Sequence, residues 1–172
     1  MEDKRPVRIA FGHQDRVGKD TAAEYLSLVY DGHHLAFARK LYQVCHTVQQ
    51  ILRKPSEKDR KLLRGIGELF KDVYGKSVWA DILEKEIKDI PKHESIFISD
   101  LRFPEEYDML SKHGFQLVKI VRENRAVSDP THVSETALVD HSFHHTVENN
   151  GEKEDFYKKL DLLVDSCRNI AQ

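Results

Sequence analysis

The chain has 172 residues, 40% of them hydrophobic, which is enough to bury the core of one domain. Its 27 Lys and Arg nearly balance 29 Asp and Glu, which excludes a global basic field of the kind that recruits nucleic acid. No run approaches the roughly 20 apolar residues that span a bilayer, Met1-Glu-Asp-Lys-Arg-Pro6 lacks an apolar signal core, and Cys45 and Cys167 each fall in an apolar helical stripe, so a cytosolic protein without a disulfide is expected.

Val7-Arg-Ile-Ala-Phe11 reads as a buried strand running into a loop bounded by Gly12 and Gly18 and followed by Lys19-Asp-Thr21. Such a loop turns successive backbone N–H groups toward one point, and the next helix adds the positive end of its dipole, so the pattern suits a phosphate. Lys19 would supply the mobile cation. Five residues rather than four separate the two glycines, and Asp20 stands where the pattern has a hydroxyl, with Thr21 one place late. A glycine-punctuated turn without a ligand is the alternative. Ala22, Tyr25, Leu26 and Val29 recur at i, i+3, i+4, i+7, as a helix with one buried face requires.

Gly32 to Ala38 reads as a second short strand, followed by a helix carrying Leu41, Val44, Cys45, Val48 and Leu52 and broken at Lys54-Pro55-Ser56. A third helix is expected from near Ser56, turning Leu62, Leu63, Ile66, Leu69, Phe70 and Val73 inward and ending at Gly75; Val78, Trp79, Ile82 and Leu83 mark another. Ser95 to Asp100 is a compact apolar strand, and Pro104 with Glu105 and Glu106 opens a helix that Gly114 closes. Phe115 to Arg122 is the fourth strand. A polar segment from Glu123 to His141 is long enough to be a cover, a short strand lies around His145 to Glu148, and a last helix turns Phe156, Leu160, Leu163, Cys167 and Ile170 to one side.

Strand and helix in alternation argue for a parallel sheet covered on both faces, with ligands bound beyond the strand C-termini. That rule gathers the Gly12 to Thr21 loop, the Ser99-Asp-Leu-Arg102 turn and the segment after Arg122 at one edge. Phosphoryl transfer asks for a lysine, arginines, a metal-orienting oxygen and an acceptor pocket. Asp100, ending an apolar strand, suits Mg²⁺ or its water shell, and Arg102 would reach a phosphate; a turn cap and a surface arginine are the alternative. Arg122 and Arg125 flank the polar segment, as charge-neutralising groups of a closing cover or as a solvated run. Arg60 and Arg64, one helical turn apart, could fork onto an acceptor phosphate. Trp79 could stack on a base or belong to the core. His132-Val-Ser134-Glu135 offers a hydroxyl and a carboxylate to a base edge or sugar, or caps a helix. His141, His144 and His145 lack the spacing of zinc motifs.

The chain resembles the deoxynucleoside monophosphate kinases of bacteriophages and large DNA viruses, a branch of the P-loop nucleoside monophosphate kinases. The likeness is carried by Phe11-Gly12 through Gly18 to Leu26, Leu35-Ala-Phe-Ala38, Asp59-Arg-Lys-Leu-Leu63 with Gly67, Val78-Trp79, Ile98-Ser-Asp-Leu-Arg-Phe-Pro-Glu-Glu106, Thr131 to Leu138, and Asn149-Asn-Gly151. The Gly-Lys-Asp start and Ser-Asp-x-Arg turn also look like animal phosphomevalonate kinases, while the His-x-Ser-Glu segment and the Leu-Leu…Gly…Val-Trp block favour the nucleotide branch. Arg39 stands where the family often has an acidic residue.

The resemblance implies a single α/β domain of the three-layer P-loop kinase type. Its core, 5–38 and 95–172, would be a parallel sheet of about five strands with helices on both faces. A helical acceptor region would span about 39–90 and a lid about 122–141. It implies transfer of the ATP γ-phosphoryl group to a (deoxy)nucleoside monophosphate with Mg²⁺. Gly12, Val17, Gly18, Lys19, Asp20 and Thr21 would hold the donor, with Thr21 and Asp100 on the metal. Asp20, Arg102, Arg122 and Arg125 would join Lys19 and Asp100 in the transfer, and Phe37, Arg39, Arg60, Arg64, Trp79, His132, Ser134 and Glu135 would form the acceptor site. Partners would be these small molecules, with no nucleic acid or membrane; a homodimer is compatible with it. A related small-acceptor kinase, or a nucleotide-binding module without turnover, would share the first loop.

Overall fold

The computed structural model describes residues 5–123 and 133–170. Five strands, β1 (Arg8–Gly12), β2 (His33–Leu35), β3 (Ile96–Leu101), β4 (Gln116–Val121) and β5 (His145–Glu148), form one sheet in the order β2-β3-β1-β4-β5. Every neighbouring pair is parallel. This is the expected parallel sheet, and it puts the strand bearing the glycine loop in the middle. The register sets Gly12 opposite Leu101 on one side and Lys119 on the other, so the chain leaving β1 is flanked by the ends of β3 and β4.

Helices α1 (Lys19–Val29), α5 (Pro104–Lys112) and α6 (Lys153–Ile170) cover this sheet. The crossover from β1 through α1 runs toward β2, whereas that from β3 through α5 runs the other way to β4. Right-handed crossovers in opposite directions place their helices on opposite faces. On the α1 side Ile9, Phe11, Phe97, Val118 and Ile120 meet Ala22, Leu26, Phe156, Leu160 and Val164, all buried in one cluster. Each of the larger of these side chains contributes about 1.5–3 kcal/mol by leaving water. The expected periodicity of α1 and α6 stops short of their ends: Val29 and Ile170 are exposed.

Residues Met1–Leu35 with Ile90–Gln172 make one compact unit and Ala36–Asp89 a second. The second comprises α2 (Ala38–Ile51), α3 (Arg60–Tyr74) and α4 (Val78–Asp89), each packed on the other two. Gly67 on α3 faces α2, where a Cβ would lie 3.4 Å from Leu41 Cδ2. Lys40 on α2 pairs with Glu86 on α4 at 3.0 Å, and Gln49 Nε2 donates to the Glu57 carbonyl at 3.0 Å.

Several boundaries differ from the sequence reading. β2 ends at Leu35 because Phe37 already has helical dihedrals as the N-cap of α2. α3 begins at Arg60 rather than near Ser56, because the Asp59 carboxylate accepts the Leu62 N–H at 2.9 Å and so caps the helix there. Leu69 and Val73, expected inward, are exposed, since α3 turns to its partners only the stripe that includes Gly67. No helix among the described residues is long and apolar enough to cross a membrane.

Candidate active site

β1 delivers the chain to the sheet edge at Gly12, where a Cβ would stand 2.8 Å from the Phe143 ring. The loop then turns back through two left-handed residues, His13 (φ 84°) and Arg16 (φ 58°), and enters α1 at Gly18. Gly18 has φ 106°, and a Cβ there would lie 2.5 Å from Asn149 Nδ2. Both the dihedral and the close approach therefore call for glycine. Asn149, just past β5, donates from Nδ2 to the Val17 carbonyl at 2.8 Å and fixes the last turn of the loop from behind. Its own N–H bonds the Val121 carbonyl at 2.8 Å, and neighbouring Asn150 accepts the Glu123 N–H at 2.8 Å, so the twin asparagines tie the loop to the end of β4.

Lys19, the first residue of α1, is 5% exposed, and its Nζ donates to the Gln14 carbonyl across the loop. Burial pushes its ammonium down to about 8; the Arg102 guanidinium adds to this, and the carboxylates of Asp15, Asp20 and Glu135 oppose it. Arg102 lies 3.6 Å from the Asp15 carboxylate, and its backbone N–H is accepted by Glu106 at 2.7 Å. Glu106 also takes the Phe103 N–H at 3.0 Å, which pins the turn between β3 and α5. Asp100, in β3, is partly buried. The Asp15 N–H is shared by the two oxygens of Glu135, each at 3.2 Å, from the 3₁₀ turn Val133–Glu135.

Of the residues singled out in the sequence, Gly12, Val17, Gly18, Lys19, Arg102 and Glu135 thus meet around one loop, with Asp20 exposed and Thr21 half-buried on its first helical turn. Arg122 is exposed just past β4. Ser134 and Glu135 are buried, Glu135 against the glycine loop rather than in the helical unit. Arg125 and His132 lie outside the described residues.

In the helical unit Arg39, Arg60 and Arg64 are exposed and Phe37 is buried. Arg39 lines a cavity of about 500 Å³ with Tyr42, Lys58 and Asp59. Trp79 is 7% exposed, lies parallel to Phe70 with ring centroids 5.5 Å apart, and donates from Nε1 to the Gly67 carbonyl at 3.3 Å. Two residues of the site escaped the sequence reading, Asp15 and Asn149. The five-residue glycine spacing was a signal for the first; Asn149 was part of the resemblance, but its partner is 132 positions away.

The Deoxynucleotide monophosphate kinase family matches residues 42–160, more than half of the chain. The chain belongs to this family. Among its relatives is a protein of Acanthamoeba polyphaga mimivirus named “Putative deoxynucleotide monophosphate kinase”, 29% identical over 178 aligned positions that cover 87% of this chain and 92% of that protein. Another is the uncharacterized protein ORF77 of Ictalurid herpesvirus 1, 29% identical over 139 positions covering 78% of this chain. The match spans 60% of the length of the herpesvirus protein. Dephospho-CoA kinase from Campylobacter jejuni has the same fold, with a TM-score of 0.54 over 95% of this chain and 98% of that one at 12% identity.

Proposed function

We propose that this member of the family is an ATP-dependent deoxynucleoside monophosphate kinase, moving the γ-phosphoryl group of ATP onto the phosphate of a dNMP to give ADP and a dNDP. The observation that carries the reading is the buried Lys19 at the mouth of a strand–glycine loop–helix unit, with Arg102 brought to the same loop by the turn after β3. A buried ammonium without an anionic ligand is costly, and its depressed pKa records that cost. A triphosphate would repay it. The loop N–H groups and Lys19 hold the donor phosphates, while Arg102, Arg122 and Arg125 offset the charge that moves with the phosphoryl group.

Mg²⁺ fits the oxygen donors present: the carboxylate of Asp100 near the end of β3, with Thr21 and Asp20 at the start of α1. When bound, it neutralises the phosphate oxygens. Arg39, Arg60 and Arg64 receive the acceptor phosphate, with Phe37 in the same helical unit. Trp79 serves it by packing α4 against α3.

The test is ADP release from ATP and Mg²⁺ with a panel of dNMPs, NMPs and phosphomevalonate. Turnover with one or more dNMPs is expected; turnover confined to phosphomevalonate would move the acceptor assignment to that branch, and ATP binding without ADP release would make the protein a binding module.

Two further results follow from the loop. Asn149→Ala leaves the Val17 carbonyl without its side-chain partner and should raise the KM for ATP about fivefold, as one lost neutral hydrogen bond of about 1 kcal/mol predicts, with the acceptor KM unchanged in steady-state kinetics. Lys19 loses its proton as the pH rises through about 8 in the free protein, and bound phosphates restore the charge. ATP binding at pH 8.5 should therefore take up a proton, measured by calorimetry in buffers of different ionisation enthalpy, and Lys19→Arg should abolish the uptake because guanidinium stays charged.

A further inference from the structure

We propose that Glu135 and Asp15 are counter-anions of the donor loop: in the nucleotide-free protein they hold groups that the triphosphate tail takes over, so the donor binds by exchange against two carboxylates. The inference rests on the reading of this loop as the ATP site.

Three features of the loop support it. The first is how Glu135 is held. Both its oxygens face the single N–H of Asp15 at 3.2 Å, the way an anion sits on a loop amide. The residue is 9% exposed, so its carboxylate rests on donors the protein supplies rather than on water.

The second is the cation pair. Lys19 opens α1 and Arg102 follows the end of β3, with the whole helical unit between them in sequence, and the two converge on one loop. Two cations at one place repel, and the guanidinium of Arg102 does depress the Lys19 ammonium; Asp15 and Glu135 are among the groups that oppose it. The Asp15 carboxylate, 3.6 Å from Arg102 and 3.9 Å from Arg16, carries the charge that balances them.

The third is the backbone. Asp15 falls within the stretch that makes the glycine spacing one residue longer than usual, between His13 and Arg16, both left-handed without being glycine. Residues adopt that conformation where surrounding contacts impose it. Here Asp15 is gripped at both ends, its N–H by Glu135 and its carboxylate by Arg102. Asp15 therefore gives the loop an anion of its own.

A polyphosphate arriving at this loop meets an Arg102 already paired with Asp15 and two carboxylates that repel it. Removing either negative charge while keeping the shape should strengthen phosphate binding, and should leave the nucleoside part of the donor indifferent. Glu135→Gln keeps an oxygen for the Asp15 N–H; Asp15→Asn keeps the N–H itself.

Calorimetric titration of both variants and the wild type with MgATP, with tripolyphosphate alone and with adenosine tests this, with thermal unfolding of each protein recorded alongside. The Kd for MgATP and for tripolyphosphate should fall about tenfold in each variant, the scale expected for one charge a few ångströms away in a partly buried site, and adenosine binding should not change. Equal or weaker phosphate binding by folded Glu135→Gln and Asp15→Asn overturns the exchange and leaves the kinase reading standing. A wild type that binds neither MgATP nor tripolyphosphate overturns both.

Discussion

Lys19→Ala is expected to lower kcat by at least about a hundredfold, the range seen when a preorganised group that offsets transition-state charge is removed from a water-poor site. Its Nζ lies on the Gln14 carbonyl within the loop, and 5% exposure keeps it from pairing with bulk water. A phosphate oxygen is a better partner than a neutral carbonyl, so the lysine should move from one to the other on binding. Its contribution is larger where charge is migrating than where ATP merely rests, so kcat should fall more than the KM for ATP rises. Stability should respond differently. Burial disfavours the charged form of this lysine, so replacing it by Ala removes an unfavourable charge as well as some packing, and the Tm should change little. A large loss of kcat at nearly constant Tm separates a catalytic lysine from a structural one; unchanged turnover would remove the loop from the mechanism.

The second large effect is on folding. Trp79→Ala should cost about 3–5 kcal/mol, as emptying a core site of a large aromatic does, and this is a serious fraction of the roughly 5–15 kcal/mol that holds a domain folded. The ring lies against Phe70 and reaches the Gly67 carbonyl, so it fastens α4 to α3 through one stacked face and one hydrogen bond. Trp79→Phe keeps part of the face but loses the bond and one ring of the indole, so it should cost more than the about 1 kcal/mol of the bond and less than Trp79→Ala. Denaturant unfolding of the two variants should reproduce that order. Because α3 carries Arg60 and Arg64, loosening it should also raise the KM for the acceptor more than that for ATP. A rise in acceptor KM at full stability would instead put the indole on the base.

The first strand and its loop were legible because their signals are local: an apolar run, two glycines and a helical period within about twenty residues of one another. The same holds for Pro104 opening α5 and for Gly75 ending α3 with φ 100°. Strand order is a different matter. Alternation says that the sheet is parallel, but not that β1 sits between β3 and β4, and it is this order that carries Arg102 to the loop of Lys19. Glu135 was readable as a carboxylate in a polar segment and was assigned to the acceptor; its contact with Asp15 spans 120 positions, and no local pattern encodes it.

Amphipathicity misled in α3. Leu69 and Val73 fit the helical period as well as Leu63 and Ile66 do, yet α3, packed on α2 and α4, buries a narrower stripe than its sequence offers. Trp79 shows the converse. A lone tryptophan at helical spacing fits a base-stacking platform and a core equally well until its neighbours are known, and here those neighbours include Phe70 and the Gly67 carbonyl.

The central claim is that the glycine loop grips the phosphates of a nucleoside triphosphate. The most direct measurement is a crystal structure of the protein with a non-hydrolysable ATP analogue and Mg²⁺. The β- and γ-phosphates are expected within hydrogen-bond distance of the Val17 to Lys19 amides, with Lys19 Nζ moved from the Gln14 carbonyl to a phosphate oxygen. Nucleotide bound elsewhere, with Lys19 still on Gln14, would contradict it.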